Sequence, residues 1–192
     1  MRPSRRSPWS KPMPSLALVA CLGALAGCGP SGGGGRPAAH LRKLEPCALL
    51  TRADAQAALG GPVGQIESTS VLDDARNSSG DPSQCGYGLE DDPSRTLRLE
   101  VRPMASAERA RGVLDSTRSV LRATGVTDVP GLGDAAFWAG AAVRQLHVRQ
   151  GSVEIVISCD PGEGKDALAT ARGAAAKVLA RLKDAERAAA RG

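Results

Sequence analysis

In four places along the chain apolar and polar residues alternate, and in three they recur at helical spacing. Cys85, Tyr87 and Leu89 alternate with Gly86 and Gly88, and Leu97, Leu99 and Val101 with Arg98, Glu100 and Arg102. Leu146 and Val148 alternate with His147 and Arg149, and Val153, Ile155 and Ile157 with Glu154, Val156 and Ser158. Successive side chains of a strand point to opposite faces, so each run predicts a half-buried strand. Asp91-Asp92-Pro93-Ser94 supplies a turn between the first pair and Gln150-Gly151-Ser152 one between the second, which makes two hairpins. Residues 65–72 read as a further strand and Phe137-Trp138 as part of a short one, while 73–84, DDARNSSGDPSQ, read as a polar loop.

The helical patterns lie between these strands. Thr51 can cap a helix through its hydroxyl, and Asp54 in the first turn suits the helix dipole; Gly60-Gly61-Pro62 then stops it. Ser106 caps a second helix with Ala110, Val113, Leu114, Thr117, Val120 and Leu121 on one face and Gly125 at its end. A third starts near Asp166 and carries Leu168, Ala171, Ala175, Val178, Leu179 and Leu182 at helical spacing. The order is α-β-β-β followed by α-β-β-β-α. Hairpins separated by helices predict an α+β fold, an antiparallel sheet with helices packed on it, and the order suggests a doubled α-β-β-β unit.

The chain begins differently. Residues 1–27 carry Arg2, Arg5, Arg6 and Lys11 and no acid, then a 12-residue apolar run from Leu16 to Gly27. A span of the bilayer takes roughly 20 apolar residues. A basic start, a short apolar core and small residues at the end are the marks of a secretory signal. The signal ends Leu25-Ala26-Gly27-Cys28, which resembles the lipobox of bacterial lipoproteins. The resemblance implies cleavage between Gly27 and Cys28 and acylation of Cys28, palmitate being one such chain. Leu18-Val19-Ala20-Cys21 fits the same four-residue pattern but leaves an apolar core too short for a signal. Residues 28–43 then form a lipidated cysteine with a Gly-rich tether, since Gly/Ser linkers behave as flexible coils. The organisation is a signal at 1–27, the tether at 28–43, one globular domain at 44–183 and a frayed tail at 184–192.

Charge matters only after the signal is set aside. Four of the 25 basic residues and none of the 20 acids lie in 1–27, so the remainder carries 21 basic residues against 20 acids. Tyr87, Phe137 and Trp138 are its only aromatics. Neither a basic surface nor a stacking platform is present, which argues against a nucleic-acid partner.

Pro46-Cys47-Ala48-Leu49-Leu50-Thr51-Arg52-Ala53-Asp54, Cys85-Gly86-Tyr87 and Gly131-Leu132-Gly133-Asp134-Ala135-Ala136 occur in that order. With the lipobox, the tether and a closing amphipathic helix, they resemble a family of small bacterial lipoproteins filed as a domain of unknown function. The resemblance implies a fold similar to the α/β/α sandwich of photosystem extrinsic proteins. Three cysteines follow Cys28, namely Cys47, Cys85 and Cys159, and allow three pairings in an oxidising compartment. The family pattern implies Cys47–Cys85, and Cys159 is a departure from it.

Candidate chemistry is sparse. Cys159 continues the inward phase of Val153, Ile155 and Ile157 and reads as a buried thiol at a strand end. His147 falls on the polar phase of its strand and reads as solvated. His40 lies in the tether, and one histidine in the folded part without H-x-H spacing does not make a metal site. The carboxylates of Asp73-Asp74 and Glu90-Asp91-Asp92 sit in predicted turns. Gly131-x-Gly133-x-x-Ala136 matches a dinucleotide fingerprint but lacks the strand before and the helix after that such a site requires, so the glycines read as a tight turn.

The expectation is therefore a membrane-anchored, non-enzymatic binding or accessory lipoprotein of the cell envelope, without cofactor. It is held to membrane lipid through Cys28 and offers a surface to an envelope protein, lipid or polymer. Gly29 rather than Asp after the anchor cysteine implies, by resemblance to sorting rules, the outer membrane facing the periplasm in a two-membrane host. The alternatives are an envelope enzyme using Cys159 with His147, or a structural subunit of an envelope complex.

Overall fold

A computed structural model of the chain describes residues 45–69, 82–140 and 143–191. The signal, Cys28, the tether, His40 and Asp73-Asp74 lie outside the described residues. Two helices open the domain, α1 Pro46–Leu49 and α2 Arg52–Leu59. Strands β1 Val63–Thr69, β2 Ser83–Leu89 and β3 Thr96–Pro103 follow. Helix α3 Ala107–Val120 leads through a tight turn of 3-10 helix, Leu121–Thr124, into β4 Val126–Asp128, β5 Ala135–Ala139, β6 Gln145–Gln150 and β7 Val153–Asp160. Helix α4 Ala167–Ala189 closes the chain.

The seven strands form one antiparallel sheet in the order β1-β2-β3-β7-β6-β5-β4. Two meanders therefore meet at the β3–β7 pair, where Leu97, Leu99 and Val101 stand opposite Cys159, Ile157 and Ile155. These residues share one face with Cys85, Tyr87, Leu146 and Val148, and helices α1, α2 and α4 cover it to form the main core. Ala171, Ala174, Ala175, Val178, Leu179 and Leu182 are the buried stripe of α4 on that face. Helix α3 covers the opposite face over the second meander, with Leu114 packed on Phe137 and Ala139. The fold is α+β in three layers, helices on both sides of the sheet.

Local chemistry explains the helix ends. Thr51 and Asp54 form a reciprocal capping box on α2, and Gly60 ends it at φ 84°. Arg95 and Lys165 both donate to the Leu59 carbonyl at the C-terminus of α2, where a helix favours cations. Ser106 and Asp166 cap α3 and α4. Asp54 does a second job: Arg181 and Lys177 of α4 reach its carboxylate at 2.5 and 3.0 Å, and Arg181 also donates to the Leu49 carbonyl at 2.6 Å. One buried carboxylate thus fastens α1 and α2 to α4.

Several expectations need correction. Helix α1 and strand β4 carry no periodic signal and are too short for one. Strand β1 begins at Val63, and Ser83 and Gln84 belong to β2 rather than to the preceding loop. Val120 is 77 % exposed. Six residues beyond Leu114, it sits about 120° round a helix of 3.6 residues per turn, off the buried stripe. Helix α4 continues to Ala189, past the boundary at 183. The doubling extends to the strands but not to the helices, because α2 and α3 pack on opposite faces.

Cys47 and Cys85 form a disulfide, 38 residues apart, that ties α1 to the centre of β2. Closing a loop of that size stabilises by about 3–4 kcal/mol on the chain-entropy model. The Cys47→Ala/Cys85→Ala double variant is expected to lose that amount in urea unfolding, and an unchanged midpoint would contradict it. A second expectation concerns acid. Burial raises the Asp54 carboxyl, but hydrogen bonds from Arg181, Thr51 and Lys177 outweigh burial and hold it well below the usual carboxylate range. Such a group adds stability that is present above its unfolded value of about 3.9 and is lost as pH falls towards the folded value. The unfolding midpoint should fall below about pH 4, with a shallower slope in Asp54→Asn; parallel slopes would refute the assignment.

Candidate functional site

The two halves of the sheet differ on the face that carries α3. Over the second meander this face presents Phe137, Ala139 and Val156, and α3 buries them. Over the first it presents Arg98 and Glu100 from β3, Gln84 from β2 and Glu67 from β1, and no described helix lies on them. Gly86 and Gly88 occupy this face of β2 and are buried, because neighbouring side chains lie across them. A bulge between Gln65 and Glu67 brings Ile66 and Glu67 of β1 over the glycines. A methyl group on Gly86 would come within 3.3 Å of Arg98 Cγ and Glu67 Cβ, and one on Gly88 within 3.2 Å of Ile66. Beside them, lined by Glu67, Gln84, Arg98, Glu100, Gln145 and Ser158, lies an open groove of about 630 Å³ with a polar floor.

Cross-strand register orders the groove. Arg98 stands opposite Ser158, which stands opposite Gln145; Glu100 stands opposite Gln84 on its other side. Val143 packs towards the α3 cluster and Arg144 follows it, so these two residues wall the groove from the covered half. Arg144 has φ 50°, the one positive value among described non-glycine residues. Its guanidinium holds Asp160 at 2.7 Å, and its carbonyl accepts the Cys159 N–H at 3.2 Å. The other pairs are looser. Arg98 lies 3.6 Å from Glu67, and Arg102 lies 3.8 Å from Glu100.

Below the groove the charges go inside. Glu154, 1 % exposed, accepts from Arg102 at 2.8 Å, and its second oxygen lies 3.6 Å from His147 Nδ1. That separation exceeds a hydrogen bond, so the contact is electrostatic. Neither ring nitrogen of His147 has a hydrogen-bond partner among the described residues, and its ring stacks on Phe137 at 4.7 Å. Burial raises the Glu154 carboxyl, but His147 and Arg102 outweigh burial and keep it below the usual range. Arg149 is buried beside it and donates to Asp134 at 2.8 Å.

His147 is thus a correction. Its polar phase predicts a solvated ring, yet it is 4 % exposed, because α3 covers the second face of its strand. Alternation distinguishes two faces and says nothing of which one meets water. Cys159 is buried as expected, at 2 % exposure. Burial first, and then Asp160, push its thiol up to about 12, with Arg144 opposing. It belongs to the main core, whereas His147 points to the α3 side, so the structure does not bring the two together as nucleophile and base. Gly131 and Gly133 take φ 80° and 58° in the turn before β5. A Cβ on Gly133 would lie 2.4 Å from the Arg149 carbonyl, so this turn admits only glycine and cradles no cofactor helix.

The groove residues are what the sequence reading passed over. Arg98, Glu100 and Ser158 lie on polar phases and count there as solvated. The alternate glycines of Cys85-Gly86-Tyr87-Gly88 point only to their neighbours, since Arg98 and Glu67 lie across them.

A test follows for Cys159. The thiolate, not the thiol, is the reactive form. Native protein at about pH 8 should therefore leave Cys159 unmodified by iodoacetamide, with alkylation only in denaturant. Prompt alkylation of the folded protein would reopen a nucleophilic role.

No family model, curated protein or solved structure matches this chain.

Proposed function

We propose that this protein is a lipid-anchored envelope lipoprotein acting as a non-enzymatic binding module, with the open half of the sheet as its working face. The observation that carries the binding role is the groove. A twisted sheet with one half of a face covered by a helix and the other left polar, concave and half-solvated has the shape of a site formed before a ligand arrives. The ionisable groups with shifted behaviour, Asp54, Glu154 and Cys159, are all buried in structural contacts; of the three only Cys159 borders the groove, and its thiol is packed in the main core.

Leu25-Ala26-Gly27-Cys28 and the glycines after it support the anchor. Acyl chains on Cys28 partition into lipid at about 0.8 kcal/mol per buried CH₂, and two or more give lasting attachment. In a two-membrane host Gly29 favours the outer membrane facing the periplasm.

Labelled palmitate should enter the wild-type protein and not Cys28→Ala, and the variant should leave the membrane fraction. A native mass spectrum of full-length protein from its own membranes should show the lipid mass together with a bound ligand or partner. Wild-type protein without lipid mass would sink the anchor. Turnover of an envelope substrate by the purified protein would sink the non-enzymatic role.

A further inference from the structure

We propose that the groove binds a short zwitterionic peptide, its carboxylate on Arg98 and its ammonium on Glu100. This rests on the reading of the chain as a binding module and names the chemistry of its ligand. Arg98 and Glu100 are neighbours on one face of β3, and both line the groove. Their counter-charges stand off, Glu67 at 3.6 Å from Arg98 and Arg102 at 3.8 Å from Glu100. Both separations exceed a hydrogen bond. Arg102 is moreover committed at 2.8 Å to the buried Glu154. The Arg144–Asp160 pair at 2.7 Å is by contrast closed. The groove therefore offers one cation and one anion whose ion pairs are open, neither being closed to hydrogen-bond length.

Charge and composition narrow the ligand. A polyanion would meet Glu67, Glu100 and Asp160, and a polycation would meet Arg98 and Arg144. The lining has no aromatic ring on which a sugar could stack. A molecule carrying both charges suits it. Two residues along a strand advance about 6.7 Å, which is also the span of an extended dipeptide. Ser158 beside Arg98 and Gln84 beside Glu100 stand where they can hydrogen-bond the peptide group and the termini. The 630 Å³ of the groove leaves room for side chains or further residues.

The test uses the full-length chain in detergent and di-alanine as probe, in four forms: free, N-acetylated, C-amidated and blocked at both ends. Calorimetry should give saturable binding of the free form, weakened about tenfold by either block and about a hundredfold by both. Arg98→Gln should weaken the free form about tenfold and make amidation indifferent, and Glu100→Gln should do the same for acetylation. In the wild-type protein the amides of Gln84, Arg98 and Ser158 should shift on titration, a readout that needs no variant. Equal affinity for all four forms, binding untouched by both substitutions, or no saturable binding overturns the proposal. If the native mass spectrum meanwhile shows another bound ligand or partner, the peptide is wrong and the binding module stands; if it shows neither, both fall.

Discussion

The pairing of β3 with β7 sits at the centre of the sheet. It joins two meanders that are otherwise separate in sequence, and its register runs unbroken from Thr96 opposite Asp160 to Pro103 opposite Val153. Because side chains alternate along both strands, that single register sorts the molecule into two chemistries. Leu97, Leu99, Val101, Ile155, Ile157 and Cys159 go to one face and build the main core with α1, α2 and α4. Arg98, Glu100, Arg102, Glu154 and Ser158 go to the other. A slip by one residue would exchange the sets and drive arginines into the core.

The second face is divided by what each half can bury. Phe137, Ala139 and Val156 give α3 an apolar seat over the second meander, so the helix docks there. The first meander shows glycines and charges on the same face, and covering them would require desolvating Arg98, Glu67 and Glu100 without close partners. Where charge does enter the interior it is paired: Glu154 is held by Arg102 and faces His147, and Asp54 is held by Arg181, Lys177 and Thr51. The groove is in this sense the remainder of the fold, the part of the sheet that no described helix covers. A surface of that kind is open to a ligand that brings its own charges.

The anchor and the groove would serve one purpose. In the proposed reading a lipid on Cys28 would hold the domain near a membrane, where the groove would meet its ligand. Binding in an open groove on a rigid sheet requires little rearrangement, since its walls are set by backbone register and by the bulge at Ile66.

Sequence alone determined the strands of the two hairpins, the caps at Thr51, Ser106 and Asp166, the α+β class and the inward phase of Cys159. All of these follow from periodicity and from side chains acting on their own backbone, within a few residues. It determined nothing certain about α1 or β4, which are held by tertiary contacts and span fewer residues than a period needs. Which of two alternating faces meets water is settled by tertiary packing. His147 and Glu154 lie on polar phases and are buried because α3 packs over them, while Arg98 and Glu100 lie on the same phase of their strand and remain at the surface. Alternation is a property of one strand, but burial depends on what crosses above it, and the placement of α3 over the second meander rather than the first is set by side chains that meet only once β3 and β7 have paired.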